Sequence, residues 1–343
     1  MLNLTSEIHI EGQSIEYETG NYNLRGDVTA SQLDFTIPGD DISRRKYWNK
    51  EVTFFLDKDD AYPMFRGRII NADIVDDFRV KFTAVDALGF LTGHQKATVV
   101  LTDSKNIDGL SIGAAIIKLI RLANLQDLIG TDYIGETSPV MRTSKKYRGA
   151  TVILSLIKNE LSAAIDTTID IPREQVIQIM DDGTKAQLVL GVQSQLDGAV
   201  VTHYYDNDNI MSFTVQNRKI PTTVVVKGKN SEGSFRHSSA ATAFGENFLT
   251  LTNNNLISKA ACIDFAQKIY NANVENQYEY TLQTNSGPYL QPNDVVNIIE
   301  KNNEVEGNFR IIGKSIRFGP TKYSLDLTIN KRPPILAQFL KSD

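Results

Sequence analysis

The sequence predicts a β-rich α+β chain: one β-unit, a helix-containing α/β insert, and a second β-unit with a helix embedded in it. Three observations carry this reading. Two distant stretches share a rhythm, helical periodicity is confined to the interval between them and to one segment after Ser258, and much of the remainder alternates apolar with polar residues, as half-buried strands do. In the first stretch Lys50-Glu51-Val52-Thr53-Phe54-Phe55-Leu56 is followed by Phe65-Arg66-Gly67-Arg68-Ile69-Ile70 and then Arg79-Val80-Lys81-Phe82-Thr83-Ala84. In the second, Asn293-Asp294-Val295-Val296-Asn297-Ile298-Ile299 is followed by Asn308-Phe309-Arg310-Ile311-Ile312 and then Lys322-Tyr323-Ser324-Leu325-Asp326-Leu327. In each, a strand follows a polar turn and a second strand opens on Phe-Arg, with Val52 to Phe65 mirroring Val295 to Phe309.

The elements follow in order. Ile8 and Ile10, then Leu33, Phe35 and Ile37, alternate with polar neighbours and read as strands. Pro38-Gly39-Asp40 ends the second with turn chemistry, Asp57-Lys58-Asp59-Asp60 is a hairpin loop, and Leu88-Gly89-Phe90-Leu91 closes the region. Ser111 caps a helix whose Ile112, Ala115, Ile116, Leu119, Ile120 and Ala123 share one face. The residues from Thr131 to Arg148 read as a loop, and those from Ala150 to Ala164 as a second helix. Strands return at Ala199–Tyr205 and Ile210–Val215, with a β-branched run from Thr222 to Val226. The Gly-, Ser- and Ala-rich stretch from Lys227 to Asn247 reads as a long irregular crossing. Ser258 then caps a helix bearing Ala261, Cys262, Phe265 and Ile269. Four strands follow, at Tyr278–Leu282, Val295–Ile299, Phe309–Ile316 and Tyr323–Ile329, and Pro333-Pro334 ends the pattern. The expected partition is residues 1–103 for the first β-domain, 104–221 for the α/β insert, 222–335 for the second β-domain with its helix, and 336–343 for a short tail.

Composition narrows the function. The 343 residues carry a formal net charge of −5 and lack a Lys/Arg block longer than Arg44-Arg45-Lys46, which argues against a dedicated nucleic-acid binder. The single cysteine, Cys262, excludes an internal disulfide and a Cys-rich zinc site, and its apolar stripe makes it a packed thiol. The first residues have no basic start and no long apolar run, and no segment reaches a membrane span of about 18–20 apolar residues, so neither signal peptide nor membrane anchor is expected.

Several motifs invite chemistry and fail on their requirements. Gly313-Lys314-Ser315 matches the end of a phosphate-binding loop, but the glycine required five places earlier is Asn308. Asp206-Asn207-Asp208-Asn209 offers oxygen ligands, but Met211 stands where a calcium loop needs glycine and Asn217 where it needs glutamate. Arg25-Gly26-Asp27 is a turn between strands. His9, His94, His203 and His237 have no ligand spacing, and no nucleophile-elbow motif surrounds a serine. A pair of glycosidase carboxylates has no fixed spacing and needs geometry to be recognised. The expectation is no enzyme, with no catalytic, cofactor-binding or metal-ligating residues.

The pattern resembles the baseplate hub family of contractile tails: phage hub proteins, late-control-D-type proteins and the spike proteins of type VI secretion. The resemblance rests on Phe65-Arg66-Gly67-Arg68-Ile69 followed by Phe82-Thr83-Ala84-Val85-Asp86-Ala87-Leu88; on a helix Ala150–Leu161 followed by Val200–Tyr205 and Met211–Val215; and on Leu290-Gln291-Pro292-Asn293-Asp294-Val295-Val296 followed by Gly307-Asn308-Phe309-Arg310-Ile311-Ile312. It implies two tandem antiparallel β-barrel domains per chain and a homotrimer forming a pseudo-six-fold ring. That ring joins the tail tube protein to the central spike protein, contacts baseplate wedge proteins, and leaves a channel through which DNA passes without specific binding. A three-fold object meets a six-fold ring with equivalent contacts only if each subunit carries two similar faces. An excess of carboxylate along such a channel repels phosphate. The location implied is the virion tail baseplate, assembled in the bacterial host cytoplasm, and an end at Asp343 leaves no room for an appended hydrolase or spike helix. Two other readings compete: a virion receptor- or carbohydrate-binding module using aromatic platforms, and a β-rich cell-wall hydrolase.

Overall fold

The computed structural model describes residues 5–25, 30–56, 63–90, 98–101, 110–134, 149–152, 175–181, 185–192, 199–253, 256–275 and 277–330. The first unit contains β1 (Glu7–Ile10), β2 (Gln13–Ile15), β3 (Thr19–Arg25), β4 (Gln32–Pro38), α1 (Asp41–Tyr47), β5 (Glu51–Phe55), β6 (Phe65–Asp76), β7 (Arg79–Val85) and the short α2 (Ala87–Phe90). The expected alternation holds: Ile8, Ile10, Leu33, Phe35 and Ile37 are all buried. Asp40, two residues past β4, caps α1, its carboxylate accepting from the Ser43 N–H at 3.0 Å. This helix was not expected, because it has no buried face to write a helical period into the sequence. At the far end of β7, Asp86 accepts from the N–H groups of Ser31, Leu88 and Gly89, so the chain closes into α2 while holding the start of β4.

The next interval holds β8 (Thr98–Leu101), α3 (Ile112–Leu122), β9 (Ile129–Gly130), β10 (Gly149–Val152), β11 (Gln175–Asp181) and β12 (Ala186–Val192). Ser111 caps α3 as expected, accepting from the Ala114 N–H at 3.1 Å, and Ala115, Ile116, Leu119 and Ile120 are buried. The helix expected from Ala150 does not begin there. Gly149–Val152 pairs antiparallel with β8, in keeping with the β-branched Thr151-Val152, and the rest of that span lies outside the described residues. The 57–60 loop, most of the 131–148 loop and Pro333-Pro334 also lie outside them.

The remainder comprises β13 (Val201–Asp206), β14 (Ser212–Asn217), β15 (Thr223–Lys227), β16 (Glu232–Arg236), α4 (Ser238–Phe244), β17 (Phe248–Thr252), α5 (Lys259–Glu275), β18 (Tyr278–Thr284), β19 (Val295–Glu300), β20 (Val305–Gly319) and β21 (Lys322–Asn330). The expected irregular crossing from Lys227 to Asn247 is therefore corrected to β16 and α4. A tight turn from Gly228 to Ser231 folds β16 back on β15, and β17 runs parallel on the other side of β15. This three-stranded sheet is covered by α5, which Ser258 caps at 3.2 Å. Val224, Val226 and Leu251 pack there with Cys262, Phe265 and Ile269.

The main sheet has thirteen strands and contains two units of one design. Six strands of the first stand in the order β1-β5-β6-β7-β4-β3, and six of the second in the order β13-β19-β20-β21-β18-β14. In chain order both read first, fourth, fifth, sixth, third, second. They differ at the first position, since β1 runs antiparallel to β5 whereas β13 runs parallel to β19. The register repeats as well. Glu51 faces Arg68 as Val295 faces Arg310, and each long strand then shifts register at a bulge, with pairing resuming at Asn71 and at Gly313. The turns into the units share a hydrogen-bond pattern: Lys50 N–H to Tyr47 C=O and Ile69 N–H to Lys50 C=O in one, Asp294 to Gln291 and Ile311 to Asp294 in the other. Asn49 and Asn293 both hold the left-handed conformation there, at φ 61° and 78°. The frame is not the one the Phe-Arg dipeptides indicate. Arg68-Ile69 lies level with Arg310-Ile311, so Phe65 and Gly67 are level with Gly307 and Phe309. Each unit buries one phenylalanine across two same-face positions and leaves glycine at the other.

The left-handed turn gives a test. Asn49→Ala should cost about 1 kcal/mol, because alanine meets the Cβ crowding of the left-handed region without the short polar side chain that lets asparagine adopt it, whereas Asn49→Gly, which has no Cβ, should be neutral or stabilising. Chemical denaturation of the two variants measures the difference.

Candidate functional site

The feature that organises the molecule is the junction between the two units. β20 is 15 residues long. Its first part pairs with β19; beyond the bulge, Gly313–Phe318 pairs with Arg25–Gly20 of β3 in the first unit. One strand thus belongs to both units, and a single buried cluster runs from Ile8 to Ile329. At the junction Ile316 stands opposite Tyr22, both buried. Phe318 stands opposite Gly20, and its ring occupies the space a Gly20 Cβ would need, 2.2 Å from Cζ. The same ring stacks on Phe54 at 4.1 Å, and the Tyr22 ring meets Phe65 edge-on at 5.7 Å. Ser315 Oγ lies 3.1 Å from Asn21 Oδ1 and donates to it across the seam.

Lys314 lies within this seam and is buried. Its ammonium donates to the carbonyls of Pro288 and Leu290 at 3.0 and 2.7 Å and sits 5.9 Å over the Tyr22 ring. Burial pushes its pKa down to about 7, with Asp294 pulling the other way. Asp86 is the counterpart among the acids: burial pushes it up to about 6 against the three N–H groups that favour its charge. Beside the seam lies an open groove of about 860 Å³, rimmed by Glu18, Asp34, Lys81, Arg317 and Lys322. Asp34 already accepts from Thr83 and Gln32, and Arg317 pairs with Asp326, so the rim offers no activated nucleophile or paired acid and base.

The structure scatters the residues that invited chemistry. Lys314 and Ser315 lie in mid-strand and not at a helix N-terminus. Asp206–Asn209 forms a turn closed by its own side chains, with Asp206 N–H bonded to Asn209 and Asp208 N–H to Asp206. Arg25 ends β3, and Gly26-Asp27 lies outside the described residues. His9 pairs with Glu7, His203 with Ser286, and His237 caps α4 while stacking on Tyr270; His94 lies outside the described residues. Cys262 is fully buried against Ser231. Among the described residues no cluster of three or more His, Cys, Asp or Glu could hold a metal, and no helix is long and apolar enough to cross a membrane. Sequence reasoning missed the seam, because β3 and β20 meet across almost the whole chain and no local pattern records that.

Searches against family models and against curated proteins found no match. Solved structures do match, over nearly the full length. A tail protein from Neisseria meningitidis MC58 superposes with a TM-score of 0.69 at 13% identity, covering 96% of each chain. The chain has the fold of phage tail proteins. The 43 kDa tail protein of prophage MuSo2 from Shewanella oneidensis gives 0.63 at 8% identity, over 95% of this chain and 98% of that one. An E. coli component of the type VI secretion system, itself described as structurally similar to T4 bacteriophage tail proteins, gives 0.55 at 11%, over 96% and 80%. The expectation of a β-rich architecture agrees with this fold, which here is built around one large, mainly antiparallel sheet.

Two measurements test the seam. Gly20→Val should lower the unfolding free energy by about 1–3 kcal/mol by displacing the Phe318 ring, and Phe318→Leu in the same chain should recover part of the loss. The titrations slope in opposite senses. The folded chain releases the Lys314 proton near pH 7 and the unfolded chain near its ordinary 10.5, so the unfolded state holds more protons between these values and stability rises with pH there. The folded chain keeps the Asp86 proton up to about pH 6 whereas the unfolded chain loses it near 3.8, so stability falls as pH rises through that window. Lys314→Met should flatten the first slope and Asp86→Asn the second, read as differences from wild type in denaturant midpoint.

Proposed function

We propose that this chain is a structural hub protein of a contractile phage tail baseplate. Three copies form a pseudo-six-fold ring between the tail tube protein and the central spike protein, flanked by baseplate wedge proteins, with a channel for DNA on the axis. The observation that carries the reading is the doubled strand order and register within one chain, on a fold shared with phage tail proteins. A ring of three such chains presents six similar units to a six-fold tube and keeps three-fold symmetry toward a spike. In this reading the first barrel is drawn from residues 1–103. The second is drawn from β13, β14 and β18–β21, with the sheet covered by α5 inserted between its second and third strands. The chain acts in the virion baseplate after assembly in the host cytoplasm, through contacts and not through catalysis.

Electron cryo-microscopy of the assembled tail tests this. Three copies around the axis, between tube and spike, are the expected result. Copies at the tail periphery, or six copies in the ring, would overturn it.

A further inference from the structure

The internal seam uses one edge from each unit, and the same two edges recur, uncovered, on the opposite units. After its bulge β6 continues as Asn71–Asp76, bonded to β7 on one side; among the described residues nothing pairs with its other edge. The equivalent edge in the second unit, Gly313–Phe318 of β20, is the one that β3 covers. β3 is the second strand of its unit. The second strand of the other unit is β14, bonded to β18 on one side and, among the described residues, open on the other.

The exposed apolar residues follow this correspondence. Counting from the shared bulge, Ile74 takes the position of Ile316. Counting through the third strand, Val215, opposite Tyr280, takes the position of Tyr22, opposite Leu33. In the seam Ile316 and Tyr22 are partners at 0% and 3% exposure, whereas Ile74 and Val215 stand at 50% and 37%. The seam's Ser315–Asn21 hydrogen bond falls on Asp73 and Thr214, an acceptor and a donor. Open strand edges with apolar residues seek a pairing partner.

We infer that β14 of one chain pairs antiparallel with the Asn71–Asp76 edge of a second copy, Val215 opposite Ile74, repeating between chains the β3–β20 seam found within each. The contact is heterologous, so copies join head to tail and close into a ring if the rotation closes. The inference rests on the ring reading above and names its contact.

Cysteine pairing tests it, since the native Cys262 is buried. Ile74→Cys chains and Val215→Cys chains are mixed under mild oxidation, over a concentration series reaching that of wild-type self-association. Directly opposed strand residues hold Cβ atoms about 4.5–5.5 Å apart, close enough for a disulfide after a small adjustment. The expected result is a disulfide-linked dimer in the mixture and none in either variant alone. In parallel, Ile74→Lys and Val215→Glu should each abolish self-association while the double variant restores it, which keeps the test independent of disulfide geometry. Native mass separates the two ideas. Wild-type trimers with neither cross-link nor charge rescue overturn the edge pairing and leave the ring. Cross-linked open chains that never close at three support the pairing and overturn the trimeric ring. A wild-type chain that neither associates nor cross-links at any concentration overturns the pairing.

Discussion

The β3–β20 pairing is the constraint on which the rest depends. Without it the chain would be a seven-stranded and a six-stranded unit tied by a long insert. With it, Gly313–Phe318 is the fifth strand of one unit and the neighbour of the other. Its cooperativity comes from side chains that serve both units at once. Phe318 belongs to the second unit but stacks on Phe54 and meets Tyr17 at 5.6 Å, both in the first. Gly20 permits this, because any side chain there would compete with that ring for the same volume. Ser6 Oγ donates to the Gly319 carbonyl at 2.8 Å, which ties the start of the chain to the end of the same strand.

Lys314 marks the cost of the arrangement. The seam encloses a cation that water would otherwise solvate, and only two carbonyls and an aromatic face replace that water. At the equivalent place in the first unit stands Ala72, whose edge is open. The closed copy of the seam therefore carries a polar anchor that binds the Pro288–Leu290 segment. That segment leads into the Asn293 turn which starts β19, so the lysine links the seam to the entry of the fourth strand.

What was legible in the sequence follows from where its energy lies. β4, β7 and β21 bury alternate residues over most of their length, and their alternation announces them; α3 and α5 announce themselves by a serine cap and an apolar stripe. β3 stayed hidden because Thr19-Gly20-Asn21-Tyr22-Asn23-Leu24-Arg25 buries one aromatic and lets its partner's ring do the packing that its own glycine cannot. α1 stayed hidden because it has no buried residue, only Tyr47 packing partly against the core, and α4 because Ser238-Ser239-Ala240-Ala241 offers no apolar stripe and reads as crossing material. The doubled rhythm was legible but its frame was not. Phe-Arg is the conspicuous dipeptide, whereas the bulge after Ile69 and Ile311 sets the equivalence, and a bulge is defined by a partner strand that the local sequence does not name.

The duplication is faithful in strand order and register and departs from itself in its first strand and in its insert. The first strand is antiparallel in one unit and parallel in the other, so the two outer flanks present different hydrogen-bonding directions. The three-stranded sheet with α5 enters between the second and third strands of the second unit only, where the first unit crosses in a few residues. Neither change alters the register in which the second and fifth strands pair. Those two positions are the ones a ring of alternating units must hold constant. A shift of register in β3 against β14, or in β20 against β6, would misalign every second joint of the proposed ring, whereas side chains there can differ, as Lys314 and Ala72 do. The register that repeats is thus what the alternating assembly proposed above would require of its two units.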